Sequence, residues 1–258
     1  MVLLFALFLA LPAVWSCSAA PEYDLVIRGG TLYDGSGGEG VVGDLAIDGD
    51  TVVAMGDLGG ARGREEIDAG GMAVTPGFIN LMSWATESII EDGRAMSDIL
   101  QGVTLEVMGE GNSMGPIADT LKDWAKSQQG DIQYEIEWTT LGEYLEFLEN
   151  RGVSPNVASF IGAANPRVNV LGFADRDPTP EELERMTAEV RAAMEEGALG
   201  VASALIYAPG SYAGTEELIA LARAAGERGG IYISHLRSEG NQLLEAFGEL
   251  LTIATQAG

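Results

Sequence analysis

His235 is the only histidine in a chain of 258 residues, and it stands in the sequence Ile231-Tyr232-Ile233-Ser234-His235-Leu236-Arg237-Ser238-Glu239. Three apolar residues are followed there by a burst of polar groups. An imidazole in that position has two chemical uses: it ligates a metal through a neutral ring nitrogen, or it moves protons near neutral pH. The plainer alternative is a core histidine bonded to a neighbouring carbonyl. Ile231 to Ile233 reads as a short strand, apolar on both faces as in a parallel sheet, and Gly229-Gly230 before it marks the end of a helix. Catalytic groups of β/α barrels gather at the C-terminal ends of strands, which is where this pattern puts His235.

The elements that position it alternate in type. From Tyr23 the pattern is β: Asp24 to Arg28 is a strand, Gly29-Gly30 turns the chain, and Asp48-Gly49-Asp50 joins Asp44–Ile47 to Thr51–Met55 as a hairpin. After Gly77, strands and helices alternate. Strands are expected at 78–81, 103–108, 156–161, 199–205 and 231–233. Helices are expected at 87–100 (interrupted by Gly93), 117–124, 141–149, 179–196, from Thr215 to Gly229, and 242–257. Thr179-Pro180-Glu181-Glu182 is a capping box with proline in the first turn. Five β/α units of this kind imply a parallel sheet, which is either open or most of a barrel.

Net charge is −25, from 14 basic and 39 acidic residues, so no basic surface for nucleic acid is expected. Residues Val2 to Val14 form an apolar run with the length of a signal-peptide core rather than a membrane span. Val14-Trp15-Ser16-Cys17 follows, similar to a bacterial lipoprotein cleavage box. The expectation is an exported protein, periplasmic and membrane-anchored through lipidated Cys17, or secreted after cleavage near Ala20. With one cysteine there is no internal disulfide.

Three stretches together resemble the amidohydrolase superfamily, and within it the N-acyl-D-amino-acid deacylases (D-aminoacylases). They are Tyr23 to Gly35, Ile67 to Asn80, and Gly197 to Gly210 with Gly230 to Gly240. The apolar run assigns a signal segment to 1–20, and the resemblance implies part of a small β-sandwich domain over 21–76 and a metal-dependent α/β TIM barrel over 77–258. That barrel is expected to be incomplete, with its remaining strands and general base beyond residue 258 and no activity in these 258 residues alone. It implies hydrolysis of a linear amide, with an N-acyl amino acid as the small-molecule substrate.

The same resemblance implies particular residues. His235 matches the family's ligand after the fifth strand. The family's His-x-His is replaced by Met82-Ser83-Trp84, which cannot ligate zinc. The family's cysteine turn reads Gly109-Glu110-Gly111-Asn112 here, leaving Glu110 either an oxygen ligand or a solvated loop residue. Metal ligands are thus expected at His235 and Glu110, holding about one divalent ion, zinc by analogy. Tyr207 matches a substrate-binding tyrosine after the fourth strand. Arg237 is expected to pair with a substrate carboxylate or simply with Glu239. The competing expectations are a metal-poor relative that binds without hydrolysing, and a cyclic-amide hydrolase.

Overall fold

The structure is a computed structural model describing residues 22–258. The apolar run and Cys17 lie outside the described residues. The chain divides into two compact units between Pro76 and Gly77.

The first unit is one five-stranded mixed sheet. Its strands are β1 (Tyr23–Leu32), β2 (Val41–Asp48), β3 (Thr51–Gly56), β4 (Gly63–Asp68) and β5 (Ala73–Val74), in the order β3-β2-β1-β4, with β5 also on β1. The β2–β3 hairpin turns through Gly49-Asp50, with Gly49 at φ +58°. Gly29-Gly30 does not turn the chain. Gly29 adopts φ +65° and the register against β2 shifts there, so a bulge carries β1 straight on to Leu32. Arg28 beside the bulge binds Asp44, Glu66 and the carbonyls of Leu58 and Ala61.

The second unit carries β6 (Phe78–Asn80), β7 (Val103–Met108), β8 (Asn156–Ser159), β9 (Ile161–Gly162), β10 (Gly200–Ala204) and β11 (Ile231–His235). All pair in parallel, as β6-β7-β8 and β9-β10-β11. Only Phe160 separates β8 from β9, so the chain changes neighbours within one extended run. The five expected strands are all present. The helices are α1 (Ser88–Glu91), α2 (Met96–Ile99), α3 (Asp119–Gln128), α4 (Leu141–Arg151), α5 (Ala164–Leu171), α6 (Pro180–Glu195), α7 (Thr215–Gly226) and α8 (Leu243–Ala257). Among the described residues no helix is long and apolar enough to cross a membrane.

Two helices differ from expectation. The 87–100 segment is interrupted at Gly93 as expected, but each half is only a single turn. Gly93 lies against the Gly152 carbonyl, where a Cβ would come within 2.9 Å, and Ala95 has φ +45°. Helix α5 was not expected at all. It is buried nearly all round and so shows no amphipathic stripe. Its Arg167 is fully buried, ion-paired to Glu217 on α7 and donating to the carbonyls of Ala174 and Arg176. The capping box at Thr179 and Glu182 forms as expected.

The main core lies between strands and helices, around Leu141, Tyr144, Met186, Val190, Leu218 and Ile253. A second cluster, Val107, Phe160 and Ala202 with Ile233 against it, lies on the other face of the strands. Side chains alternate along a strand. Ala202 and Ile233 pair in register, so Ala204 and His235, two residues further on, share that second face.

Candidate functional site

The turn after β7 is built to approach its neighbours closely. Gly109 and Gly111 have φ +99° and +71°. A Cβ on Gly109 would come within 2.2 Å of the Phe160 carbonyl, and one on Gly111 within 2.6 Å of the Ala204 Cβ. Only glycine tolerates both the conformation and the contact. Downstream, the buried Asn165 pins the turn: its Oδ1 accepts from the Ser113 amide at 2.8 Å and its Nδ2 donates to the Ser113 and Pro116 carbonyls. Ser113 Oγ in turn donates to the Gly115 carbonyl and accepts from the Gly162 amide.

Glu110, between the two glycines, has a side chain only 8% exposed. Its Oε1 stands 3.3 Å from His235 Nδ1. The opposite ring nitrogen, Nε2, stands 3.4 Å from Glu239 Oε1. Tyr207, in the loop after β10, sets its ring edge-on to the imidazole at 5.5 Å between centroids. The structure therefore brings together His235, Glu110 and Tyr207, three of the four candidates, at the C-terminal ends of β7, β10 and β11.

The fourth is differently engaged. Arg237 does not pair with Glu239. Its Nε and Nη2 form a two-pronged bridge to Glu249 on α8, at 2.8 and 2.9 Å. Nη1 and Nη2 also donate to the carbonyls of Ser211 and Ala213. Glu249, 15% exposed on a helix, offers a fixed carboxylate matched to the planar fork, whereas Glu239 in the turn is 61% exposed. Arg237 thus fastens the β10–α7 loop and α8 to the strand that carries His235. Burial pushes the Glu249 carboxyl up, but the bonds from Arg237 and Thr215 outweigh this and hold it below its ordinary value.

The donor set bears on whether a metal ion fits. Glu110 Oε1 is buried and has no hydrogen-bond partner. A buried carboxylate oxygen without a donor is expensive, and a cation against it removes the cost. With bonds of about 2.1 Å, two ligands on one tetrahedral zinc stand about 3.4 Å apart, which matches the 3.3 Å between Glu110 Oε1 and His235 Nδ1. The pair fits as two ligands of one ion. Glu239 faces the other nitrogen and is not a third. Among the described residues no group of three or more His, Cys, Asp or Glu side chains is arranged to hold a metal. Met82 and Trp84 are exposed beyond β6 and offer no such donor.

Sequence reasoning passed over several polar groups. Glu239 was expected only as a possible partner of Arg237, because nothing in a turn fixes its i,i+4 pairing with His235 in advance. Asn165 carries no sequence signal that marks its role. Glu106 is fully buried on β7, where Asn80 Nδ2 donates to its Oε2 at 3.0 Å and its Oε1 has no partner. A lone acid in the apolar strand Val103–Met108 was the available signal.

Comparison with known proteins now gives this geometry a context. No family profile matches the chain. The chain is 32% identical to D-aminoacylase of Alcaligenes xylosoxydans xylosoxydans over 93% of its length and 50% of the relative's. Its fold matches a crystal structure of D-aminoacylase from work on one-metal activation and second-metal attenuation of a binuclear centre. That match has a TM-score of 0.82 and 29% identity, over 91% of this chain and 50% of that one. It also matches N-acyl-D-glutamate deacylase from Bordetella bronchiseptica, complexed with zinc and a phosphonate that mimics the tetrahedral intermediate, with a TM-score of 0.80 and 31% identity over 90% and 48% of the two chains.

Parallel strands with helices between them, and the likeness to D-aminoacylase structures, define an α/β protein of the amidohydrolase class. Within that class the chain belongs with the D-aminoacylases, or N-acyl-D-amino-acid deacylases. It spans about half the length of the curated relatives it matches.

Proposed function

We propose that the protein to which this chain belongs is a metal-dependent deacylase that hydrolyses the linear amide of N-acyl amino acids. The carrying observation is the buried, unpartnered Glu110 Oε1 facing His235 Nδ1 at 3.3 Å on the C-terminal rim of the strands. Glu110 and His235 would hold one divalent ion. Bound there, zinc lowers the pKa of a water and polarises the amide carbonyl. Glu239 Oε1 lies 3.4 Å from Nε2, and its negative charge favours a proton on that nitrogen, leaving Nδ1 free for the ion. The Tyr207 hydroxyl serves the substrate carboxylate or the developing oxyanion. Arg237 acts on the site by fixing its wall. The first-unit sheet is taken as part of a β-sandwich and the six parallel strands β6 to β11 as part of a barrel, as the fold class implies.

The test is hydrolysis of N-acetyl-D-amino acids by the full-length protein to which these 258 residues belong, with metal content measured on the same sample. About one divalent ion per chain and activity abolished by chelation are expected. Activity that survives complete metal removal would refute the reading. Export with a lipidated Cys17 remains a separate proposal, supported by Val14-Trp15-Ser16-Cys17. Mass spectrometry of the mature N-terminus decides it, and an unmodified N-terminus beyond Cys17 rules it out.

A further inference from the structure

Met82 and Trp84 cannot ligate zinc, yet their surroundings give them a use. The Ser83 amide donates to the Val107 carbonyl at 2.8 Å, so the segment leaving β6 keeps alongside β7. Ser83 is buried, and Ala85 packs against the main core. Met82 and Trp84 flank Ser83 and are 54% and 67% exposed. Neighbours on an extended chain alternate in direction. These two therefore project away from the main core, to the face of the strands that carries Val107 and His235.

The backbone beneath them is held. Ser83 Oγ accepts from the Ala85 amide at 3.2 Å, and Tyr144 donates its hydroxyl to the Thr86 carbonyl at 3.1 Å. The thioether and the indole are thus displayed on a fixed turn. Strands β6 and β7 are neighbours, so this turn and the Glu110 turn leave the sheet about 4.8 Å apart. The charge beside them is one-sided. Glu110 and Glu239 flank His235, while the Arg237 guanidinium is taken up by Glu249 and the carbonyls of Ser211 and Ala213. An extra carboxylate on a substrate would meet like charge there, with no free cation in the His235 turn to offset it. An aromatic or aliphatic group meets an indole and a thioether instead, which favour it.

We propose that Met82 and Trp84 form an apolar wall of the substrate site. The wall selects amides that carry an aromatic or large aliphatic group, on the acyl chain or on the amino-acid side chain, over amides that carry an acidic one. The inference rests on the deacylase reading above and names the substrate class of that site. Each methylene withdrawn from water contributes about four-fold in affinity, so a phenyl ring laid on the wall should gain about 10-fold or more over a methyl group.

Two substrate series on the full-length protein separate the two positions. One holds acetyl and compares D-alanine, D-phenylalanine and D-aspartate. The other holds D-alanine and compares acetyl with phenylacetyl. In at least one series kcat/KM should favour the aromatic member over the methyl one by about 10-fold or more, carried by KM. N-acetyl-D-aspartate should be the poorest substrate. Trp84→Ala should shrink the aromatic preference to about two-fold or less, and Trp84→Phe should restore most of it. Both residues are exposed, so these variants should fold and keep the parental metal content. No aromatic preference in either series, a preference for D-aspartate, or the same preference in Trp84→Ala as in the parent would overturn the assignment. Calorimetric titration with benzylphosphonate and methylphosphonate gives a readout that needs no turnover. The benzyl compound should bind the parent about 10-fold or more tightly than the methyl one, and Trp84→Ala should bind the two alike. Hydrolysis without aromatic preference would reject the wall and keep the deacylase. A benzyl preference that Trp84→Ala abolishes, in a protein that hydrolyses none of the amides, would keep the wall and reject the deacylase reading.

Discussion

His235 and Arg237 are two residues apart in sequence and opposite in circumstance. Arg237 makes four hydrogen bonds, two to Glu249 and two to backbone carbonyls. His235 lies 3.3 and 3.4 Å from two carboxylates, at distances and angles that complete no hydrogen bond with either ring nitrogen, and the facing Glu110 Oε1 is buried without a partner. Both sit at the end of the same strand. The difference separates scaffold from chemistry: a saturated polar group holds shape, whereas a buried, under-satisfied one is held ready for something that is not protein.

The sharpest way to break that contrast is His235→Ala. If the under-satisfied pair is a metal site, metal content should fall to near zero. Activity should drop by about 10²-fold or more, since losing even outer partners of a ligand costs 10–100-fold, and the fold should survive. If His235 is only a packed residue, the change should cost about 1–3 kcal/mol of stability and leave metal per folded molecule unaltered. Metal stoichiometry and thermal melting on one sample separate the outcomes. Full occupancy in a folded variant would remove His235 from the site.

Arg237→Ala should do the reverse. It strands Glu249 and frees the Ser211 and Ala213 carbonyls, so stability should fall by about 1–2 kcal/mol, with allowance for a side chain one-third exposed. Metal content should stay at the parental level. A variant that melts like the parent but loses substrate affinity would show that Arg237 serves substrate directly.

The same contrast explains what the sequence could disclose. The strand-helix alternation, the Gly49 hairpin and the Thr179 capping box were legible because each depends on residues within a few positions of one another. So was His235, since an isolated polar burst after Ile231–Ile233 has few structural uses. Buried helix α5 was not legible, because burial on all sides erases the polar face that marks a helix. The partner of Arg237 was not legible either. Glu239 is near in sequence, but Glu249 wins through a packing of α8 against the strand that no local pattern encodes.

The smallest expected effect lies in the pH dependence of the saturated cluster. Burial raises the Glu249 carboxyl, and the bonds from Arg237 and Thr215 overcome this, so the net shift is downward from an ordinary value of 4.5. A carboxyl whose pKa is lower in the folded than in the unfolded protein binds fewer protons when folded. Its contribution is therefore fully present above about pH 4.5 and is lost as pH falls through the lowered folded value. Glu249→Gln removes the titrating group while keeping an acceptor for Arg237. The variant should melt below the parent at pH 6, and the gap should narrow as pH falls from 5 towards 3. Many other carboxylates titrate in this window, so only the difference between the two melting curves carries the information. A gap that stays constant across pH 3–6 would show that Glu249 contributes through packing alone and that the saturated cluster is not held by charge.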